Sequence, residues 1–152
     1  MIRVYTDIEI KAPIETCFDM ARNIDVHTQT VWSHTKERAV AGRSTGMIND
    51  RETVTFQARH FLIRQKHTSI IKDFTRPYKF VDEMVSGTFK SMRHEHDFIE
   101  TENGTLMKDT LYFEAPLGLL GWIVERIVLK SYMKRFLEHR NHNLKRIIEE
   151  QA

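Results

Sequence analysis

Features that would mark a specialised class of protein are scarce in this sequence of 152 residues. It has one cysteine, Cys17, which excludes an intrachain disulfide and favours a reducing, cytoplasmic location. Its uncharged stretch from Ala115 to Val124 is about ten residues long, well short of a membrane span, so no stable membrane insertion is expected. The N-terminus carries charges where a secretion signal would need an apolar run.

A dominant charge of one sign is also lacking. The 23 basic residues are interleaved with 21 acidic ones, which is unlike a nucleic-acid-binding protein. Only the C-terminal third gathers basic residues, either as a solvated helix face or as a weak patch for an anionic partner or membrane surface. With 41% apolar residues, the chain is long enough for one core, and we expect a single domain over residues 1–152.

Alternating apolar and polar residues predict several strands. The first runs from Ile2 to Ile10 and stops at Ala12-Pro13, where a helix of about two turns begins. A loop is predicted around Asn23, Asp25 and His27. Further strands are predicted at 37–40, 50–59, 65–74 and 78–86, and residues 60–64 are left unassigned.

Residues 89–113 are the most informative stretch, because they predict a hairpin with a turn at Asn103-Gly104. A two-residue turn there pairs Phe98 with Asp109, His96 with Leu111 and His94 with Phe113. Side chains two residues apart share a face, so one face carries His94, His96, Phe98, Met107, Asp109, Leu111 and Phe113. A mostly apolar sheet face with a few polar groups is more typical of a binding cavity than of a sealed core.

Beyond Gly121 the apolar period changes to 3.6 and predicts one helix of roughly thirty residues, about 45 Å long. Its apolar stripe consists of Ile123, Val124, Ile127, Val128, Met133, Phe136, Leu137, Leu144, Ile147 and Ile148. A helix this long needs a wide surface to pack against. We therefore predict an α+β fold in which a curved antiparallel sheet of six to seven strands wraps around the long C-terminal helix, with a short N-terminal helix.

Several local motifs occur in the same order in the helix-grip superfamily known as SRPBCC or START-like, which includes birch-pollen allergens, lipid-transfer START domains and polyketide cyclases. They are Ile10-Lys11-Ala12-Pro13 with Cys17-Phe18, residues 54–61, residues 77–84 with Gly87-Thr88-Phe89, His94-Glu95-His96-Asp97-Phe98, residues 104–109, and residues 116–121 before a helix with Phe136, Arg140 and Asn141. The chain resembles this superfamily over nearly its whole length, and its bacterial cyclase/dehydrase-like group most. It is similar also to a subunit of carbon monoxide dehydrogenase that has this fold. Leu62 stands where a glycine is expected.

The resemblance implies a cavity between sheet and helix that binds a small hydrophobic or amphipathic molecule, such as a lipid, without implying a reaction or a cofactor. The apolar lining is expected to come from Phe56, Phe80, Met84, Phe98, Leu111 and Phe113. His94, His96, Asp109 and Arg140 would orient the polar end of the ligand. Arg140 has an alternative role as the ion-pair partner of Asp82 or Asp109. In the loop 116–122, Trp122 would act as a gate, or the loop is a buried junction.

Other uses of the polar residues stay open. With His60 or Asp109, His94 and His96 would have the ligand types of a metal site, but the sequence fixes no third and fourth ligand, so no metal is expected. His94, His96 or Asp109 would suit the general base of a cyclase or aromatase. No Ser-His-Asp pattern, phosphate loop or zinc spacing is present, so no catalytic residue is predicted.

The expected partner is therefore a small molecule and not a nucleic acid, and a protein partner stays open. Two rival hypotheses belong to other functional classes. A cyclase-type enzyme would need a histidine or aspartate that faces an open cavity. An assembly or interaction module, as the resemblance to the dehydrogenase subunit suggests, would have a filled interior and an exposed apolar patch around residues 117–122.

Overall fold

The computed structural model describes residues 1–116 and 118–151. Within them the strands are β1 (Ile2–Ile10), β2 (Arg38–Gly42), β3 (Thr53–His60), β4 (Ile63–Thr75), β5 (Lys79–Ser86), β6 (Ser91–Thr101) and β7 (Gly104–Glu114). The helices are α1 (Ile14–Ala21), α2 (Ile24–Thr30), α3 (Gly118–Val124) and α4 (Lys130–Glu150), with a 3₁₀ turn at Ser33–Thr35 and a π-helical segment at Glu125–Leu129.

The strands form one curved antiparallel sheet in the order β1-β7-β6-β5-β4-β3-β2. The first strand pairs with the last along its full length, from Ile2 opposite Phe113 to Ile10 opposite Thr105. Helix α4 packs against β1, α1 and α2. The predicted α+β helix-grip fold, with its short N-terminal and long C-terminal helices, is confirmed.

Strands β6 and β7 form the predicted hairpin, but the predicted register is wrong by two residues. His96 pairs with Asp109 and His94 pairs with Leu111, and the corner residues are Glu102 and Asn103. Because side chains alternate with a period of two, a shift of two residues leaves the composition of each face unchanged.

Gly104 explains why the turn lies one residue earlier than predicted. Its φ is +157°, and a Cβ atom there would collide with the carbonyl oxygen of Ile10 at the end of β1. The glycine is therefore needed as the first residue of β7, where the hairpin meets β1, and not as a turn corner.

The loop predicted around Asn23, Asp25 and His27 is wrong, since helix α2 occupies this segment. The Asn23 side chain accepts a hydrogen bond from the Val26 amide at 3.1 Å and caps the helix. Asparagine is one of the preferred N-cap residues, so this start signal was present in the sequence. Helix α1 begins just after Pro13, as predicted.

The long C-terminal helix is interrupted by the π-helical segment Glu125–Leu129. A π turn takes more residues than an α turn and so rotates the following residues around the helix axis. Leu137, Leu144 and Ile148 are buried in the core, whereas Ile127 is 71% exposed. The prediction of one continuous apolar stripe is therefore wrong for the first part of the helix. No helix within the described residues is long and apolar enough to cross a membrane.

The core consists of two clusters of buried apolar side chains. In the larger one Phe18 of α1 makes edge-on contacts with Phe74, Phe80 and Phe98 at ring separations of 5.3–5.4 Å. The smaller cluster surrounds Phe113 and joins β1 and β7 to α4. Neither cluster fills the space between the inner face of the sheet and the start of α4.

The unassigned residues 60–64 comprise the end of β3, a tight turn at Phe61 and Leu62, and the start of β4. Phe61 and Leu62 both have positive φ, 51° and 64°, and Leu62 is 93% exposed. A glycine would adopt this left-handed conformation without strain, which agrees with the expectation of glycine at position 62.

Candidate functional site

A cavity of about 300 Å³ lies between the inner face of the sheet and helices α2 and α4. Its wall is mainly apolar, with side chains from β3, β4, β5, β7 and α4, such as Phe56, Ile71, Phe80, Leu111 and Met133. Five of the eight histidines of the chain also line it: His27, His60, His67, His94 and His96. An apolar pocket with a few convergent polar groups is the usual form of a small-molecule site.

The structure divides the residues predicted to form the site into two groups. Those that line the cavity are Phe56, Phe80, His94, His96, Leu111 and Arg140. Those that do not are Phe98, Asp109, Phe113, Met84 and Trp122. Phe98 and Phe113 are buried in the two core clusters, because the cavity occupies only part of the concave face.

Asp82 is one of the polar residues of the wall that were not predicted from the sequence to lie in the site. It lies on β5 directly opposite His94 on β6 and lines the cavity. Its Oδ2 atom is 2.7 Å from His96 Nε2 and 3.7 Å from His94 Nδ1. The two imidazole rings contact each other with centroids 3.9 Å apart and planes tilted by 38°. A carboxylate therefore faces the pair of histidines from the neighbouring strand.

Asp109 contacts the same two imidazoles from the buried side. Its Oδ1 atom is 2.9 Å from His94 Nε2 and 2.7 Å from His96 Nδ1. The contact with His94 is a hydrogen bond, whereas the short contact with His96 Nδ1 lacks hydrogen-bond alignment. Asp109 is fully buried and does not reach the cavity, so it acts on the site through the histidines.

Residues of α4 hold Asp109 in place. Asn141 donates a hydrogen bond to Asp109 Oδ2 at 2.7 Å and contacts Thr6 Oγ1 at 3.2 Å. The Arg140 guanidinium lies 3.5 Å from Asp109 Oδ1. Of the two roles considered for Arg140, the structure contains the ion pair, and its partner is Asp109.

The pKa values of the two imidazoles in this cluster are shifted in opposite directions. Burial lowers the pKa of His96, but the close contacts and negative charges of Asp109 and Asp82 outweigh it, so this pKa is raised. Burial and the adjacent His96 lower the pKa of His94. Burial alone would raise the pKa of Asp82, yet His94 and His96 hold it well below its ordinary value. Two neighbouring rings thus favour different protonation states.

A second polar group lies on the side of the cavity formed by α2 and β2–β3. His27 Nε2 is 2.6 Å from Glu37 Oε1, and the His27 ring packs on Phe56. Burial alone would raise the pKa of Glu37, but nearby histidines, His27 first, lower it. This pair was missed because Asn23–His27 was predicted as a loop.

Two further histidines of the wall have neutral partners. His60 Nδ1 is 2.7 Å from the Tyr132 hydroxyl, and His67 Nε2 is 2.9 Å from Ser69 Oγ. Burial lowers the pKa of both imidazoles. The alternation of His67, Ser69 and Ile71 along β4 is the sequence signal that would have placed them on the inner face.

Exposed apolar side chains occur on the β3–β4 turn and on the first part of the C-terminal helix, and they are called the apolar rim below. The Phe61 ring lies 4.5 Å from that of Tyr132 and joins the two elements. The rim consists of Phe61, Leu62, Ile63, Leu119, Leu120, Trp122, Ile123, Ile127 and Val128, all exposed. Leu117, part of the predicted lip at 116–122, lies outside the described residues. Trp122 is 51% exposed and packs on Arg126, away from the cavity wall.

The sheet wrapped on a long C-terminal helix defines a START-like helix-grip fold, and comparison with solved structures gives the same result. A Thermus thermophilus protein, TTHA0849, is 16% identical with a TM-score of 0.78 over 99% of both chains. A START superfamily protein from Mycobacterium smegmatis is 15% identical with a TM-score of 0.75, again over 99% of both.

A third similar structure is the di-domain ARO/CYC StfQ of the steffimycin biosynthetic pathway. It is 11% identical with a TM-score of 0.79 over 99% of this chain and 51% of StfQ. At these identities the similarity concerns the fold. No known family model matches the sequence, and no curated protein matches it either.

Proposed function

We propose that residues 1–152 act as one domain that binds a small hydrophobic or amphipathic molecule in the cavity between the sheet and α4. The observation that carries this proposal is the cavity itself, which combines an apolar wall with imidazole and carboxylate groups at one side. Enclosing the ligand would remove its apolar surface from water, at about 25 cal/mol per Å².

The size of the cavity restricts the ligand. A dry cavity of about 150 Å³ accommodates one benzene ring, and this cavity measures about 300 Å³. A molecule of roughly two fused rings therefore fits inside, while a long acyl chain would have to extend beyond the cavity. We accordingly expect a compact ring system with one polar end.

The polar end of the ligand is oriented by the cluster of Asp82, His94 and His96. His94 Nδ1 and Asp82 Oδ2 are 3.7 Å apart, which is too long for a hydrogen bond and leaves both atoms able to contact a ligand hydroxyl or carbonyl group. The second pair, His27 and Glu37, offers a further polar contact on another side of the cavity.

The experiment is a fluorescence titration with 2-naphthol, a two-ring probe with one hydroxyl group, together with native mass spectrometry of protein from its own host. Ala58 lines the cavity and is buried, so Ala58→Phe fills the space with a ring. Ala41 on β2 is exposed, which makes Ala41→Phe the matched control. Binding that is lost in Ala58→Phe and kept in Ala41→Phe supports the proposal, and equal binding in both folded variants refutes it.

A second candidate function is acid–base catalysis of the cyclase or aromatase type. The observation in its favour is that His94 and His96, each paired with a carboxylate, line the cavity. If the protein is such an enzyme, a bound polyketide-like ligand loses water with time in wild-type protein. His96→Asn would then stop that mass change while the ligand stays bound.

The third candidate, an interaction module, gains support from the exposed rim at α3. Such a module would be expected to have a filled interior, and the open cavity favours ligand binding over it. Leu120→Gln removes apolar area from the rim. Loss of a co-purified protein partner in this variant, with unchanged naphthol binding, would establish interaction as a separate function.

A further inference from the structure

We propose that Asp82, His94 and His96 form a binding site for one divalent transition-metal ion on the wall of the cavity. The three side chains come from two adjacent strands, β5 and β6, and each offers one ligand atom. All three line the cavity, so an ion held between them is accessible to a molecule bound there.

Strand geometry brings the three ligand atoms together. His94 and His96 are two residues apart on β6 and therefore point to the same face, and Asp82 is directly opposite His94 on β5. The ligand atoms lie within 4.8 Å of one another. Around an ion with bonds of about 2.0–2.2 Å, ligand atoms are roughly 3–3.5 Å apart. The observed separations of 2.7 and 3.7 Å from Asp82 Oδ2 fall on either side of that range.

The second nitrogen of each imidazole lies close to a carboxylate on the side away from Asp82. Asp109 Oδ1 lies 2.9 Å from His94 Nε2 and 2.7 Å from His96 Nδ1. This leaves His94 Nδ1 and His96 Nε2, the two nitrogens that face Asp82, as the metal ligands. A carboxylate behind a ligating histidine is the usual arrangement in metal sites, because it fixes the orientation of the ring. Here the same buried oxygen atom, Asp109 Oδ1, contacts both rings.

The charge of the cluster also suits a cation. Asp82 and Asp109 bring two carboxylates, and Arg140, 3.5 Å from Asp109, brings one guanidinium. His96 Nδ1 is buried and has no well-aligned hydrogen-bond partner. A small rotation of the ring toward an ion at Nε2 would give the Nδ1 proton room to align with Asp109.

The ligand set indicates the kind of ion. Two imidazole nitrogens and one carboxylate oxygen suit Zn²⁺, Fe²⁺ or Co²⁺, whereas Mg²⁺ and Ca²⁺ prefer oxygen ligands only. Three protein ligands leave at least one coordination position open toward the cavity. An oxygen atom on the cavity ligand would complete the coordination, so the site would select ligands with a hydroxyl, carbonyl or carboxylate group.

The test is a titration of chelator-treated protein with Co²⁺, monitored by visible absorption. No organic ligand is added, so the outcome is independent of the proposed ligand binding. Wild-type protein is expected to bind one equivalent of Co²⁺ with ligand-field bands that Zn²⁺ abolishes and Mg²⁺ does not. His94→Ala and Asp82→Asn should each weaken binding by about 100-fold or more, and Asp109→Asn by about 10–100-fold.

His142→Gln is the matched control, because His142 is exposed on α4 and outside the cavity wall, and it should leave Co²⁺ binding unchanged. If a variant does not fold, wild-type protein is examined by imidazole NMR with one equivalent of Zn²⁺. Zn²⁺ must then shift the His94 and His96 signals first. Absence of Co²⁺ bands in wild-type protein, wild-type affinity in folded His94→Ala and Asp82→Asn, or first shifts at other histidines would overturn the proposal.

Discussion

The Nε2 atom of His96 lies 2.7 Å from Oδ2 of Asp82, across the pair of strands β5 and β6. His96 is 2% exposed, and its other nitrogen is equally close to Asp109. One imidazole thus links a carboxylate at the cavity to a carboxylate in the interior. Asp82, at the cavity, is the carboxylate that a bound ligand would contact. Asp109, in the interior, is hydrogen-bonded to Asn141 of α4.

Replacing His96 by alanine should destabilise the protein strongly, because both carboxylates would lose a buried partner. We expect the free energy of unfolding to fall by about 3–5 kcal/mol, as is usual when one member of a buried ion pair is removed. Urea denaturation measures this change. His142→Ala, at an exposed position on α4, should change stability by less than about 0.5 kcal/mol. A loss at His96 as small as at His142 would contradict the account of the cluster.

Phe56 and Phe98 should separate ligand binding from stability. Phe56 lines the cavity, whereas Phe98 packs edge-on against Phe18 in the core. Phe98→Ala should cost about 3–5 kcal/mol of stability and leave the affinity of the folded protein for 2-naphthol nearly unchanged. Phe56→Ala should cost less stability and weaken naphthol binding. Thermal unfolding and fluorescence titration test both variants. Loss of naphthol binding in Phe98→Ala but not in Phe56→Ala would contradict the assignment of Phe56 to the cavity and Phe98 to the core.

The protein should lose stability below neutral pH in part because His67 is buried. Burial lowers the pKa of His67 below its ordinary value of 6.5, so the unfolded chain binds the proton first as pH falls. The contribution of His67 is complete above pH 6.5 and decreases below it. His67→Gln should therefore flatten the decrease in unfolding free energy over this range. An NMR titration that places the His67 pKa at or above 6.5 would contradict this prediction.

Leu62→Gly should stabilise the protein despite removing a large side chain. The Leu62 side chain is 93% exposed, so removing it costs little packing energy. Its φ is 64°, and a glycine relieves the strain of this left-handed backbone conformation. We expect a gain of about 0.5–1 kcal/mol after the backbone entropy of glycine is counted. Leu62→Ala keeps the strain and should give no comparable gain. Chemical denaturation of the wild-type protein and the two variants measures the differences in unfolding free energy. Equal stabilisation by Leu62→Ala would show that backbone strain is not the cause.

Much of the fold could be predicted from local patterns. Alternation identified β1 and the β6–β7 hairpin, and the period of 3.6 identified the C-terminal helix. The two-residue register error did not disturb the inner face, because parity is insensitive to even shifts. The π-helical segment was not predictable in this way, since the apolar spacing alone extends a regular helix through it.

The site was predicted less completely, because most of its contacts join distant segments. Parity placed His94 and His96 on one face, but the position of Asp82 opposite His94 depends on the register between β5 and β6, which their connecting residues 87–90 do not specify. The His27–Glu37 pair likewise depends on how α2 packs against β2. Phe98 and Phe113 have the right parity for the cavity but lie where the core is filled.

We expect a small ring-containing molecule to bind inside the cavity and not on the exposed rim. The most direct measurement is of intermolecular NOEs between 2-naphthol and methyl groups of the protein. A ligand inside the cavity should give NOEs to the methyls of Leu111 and Met133, which line the cavity. NOEs to the exposed methyls of Leu62 and Leu119 alone, or none at all at saturating probe, would contradict it.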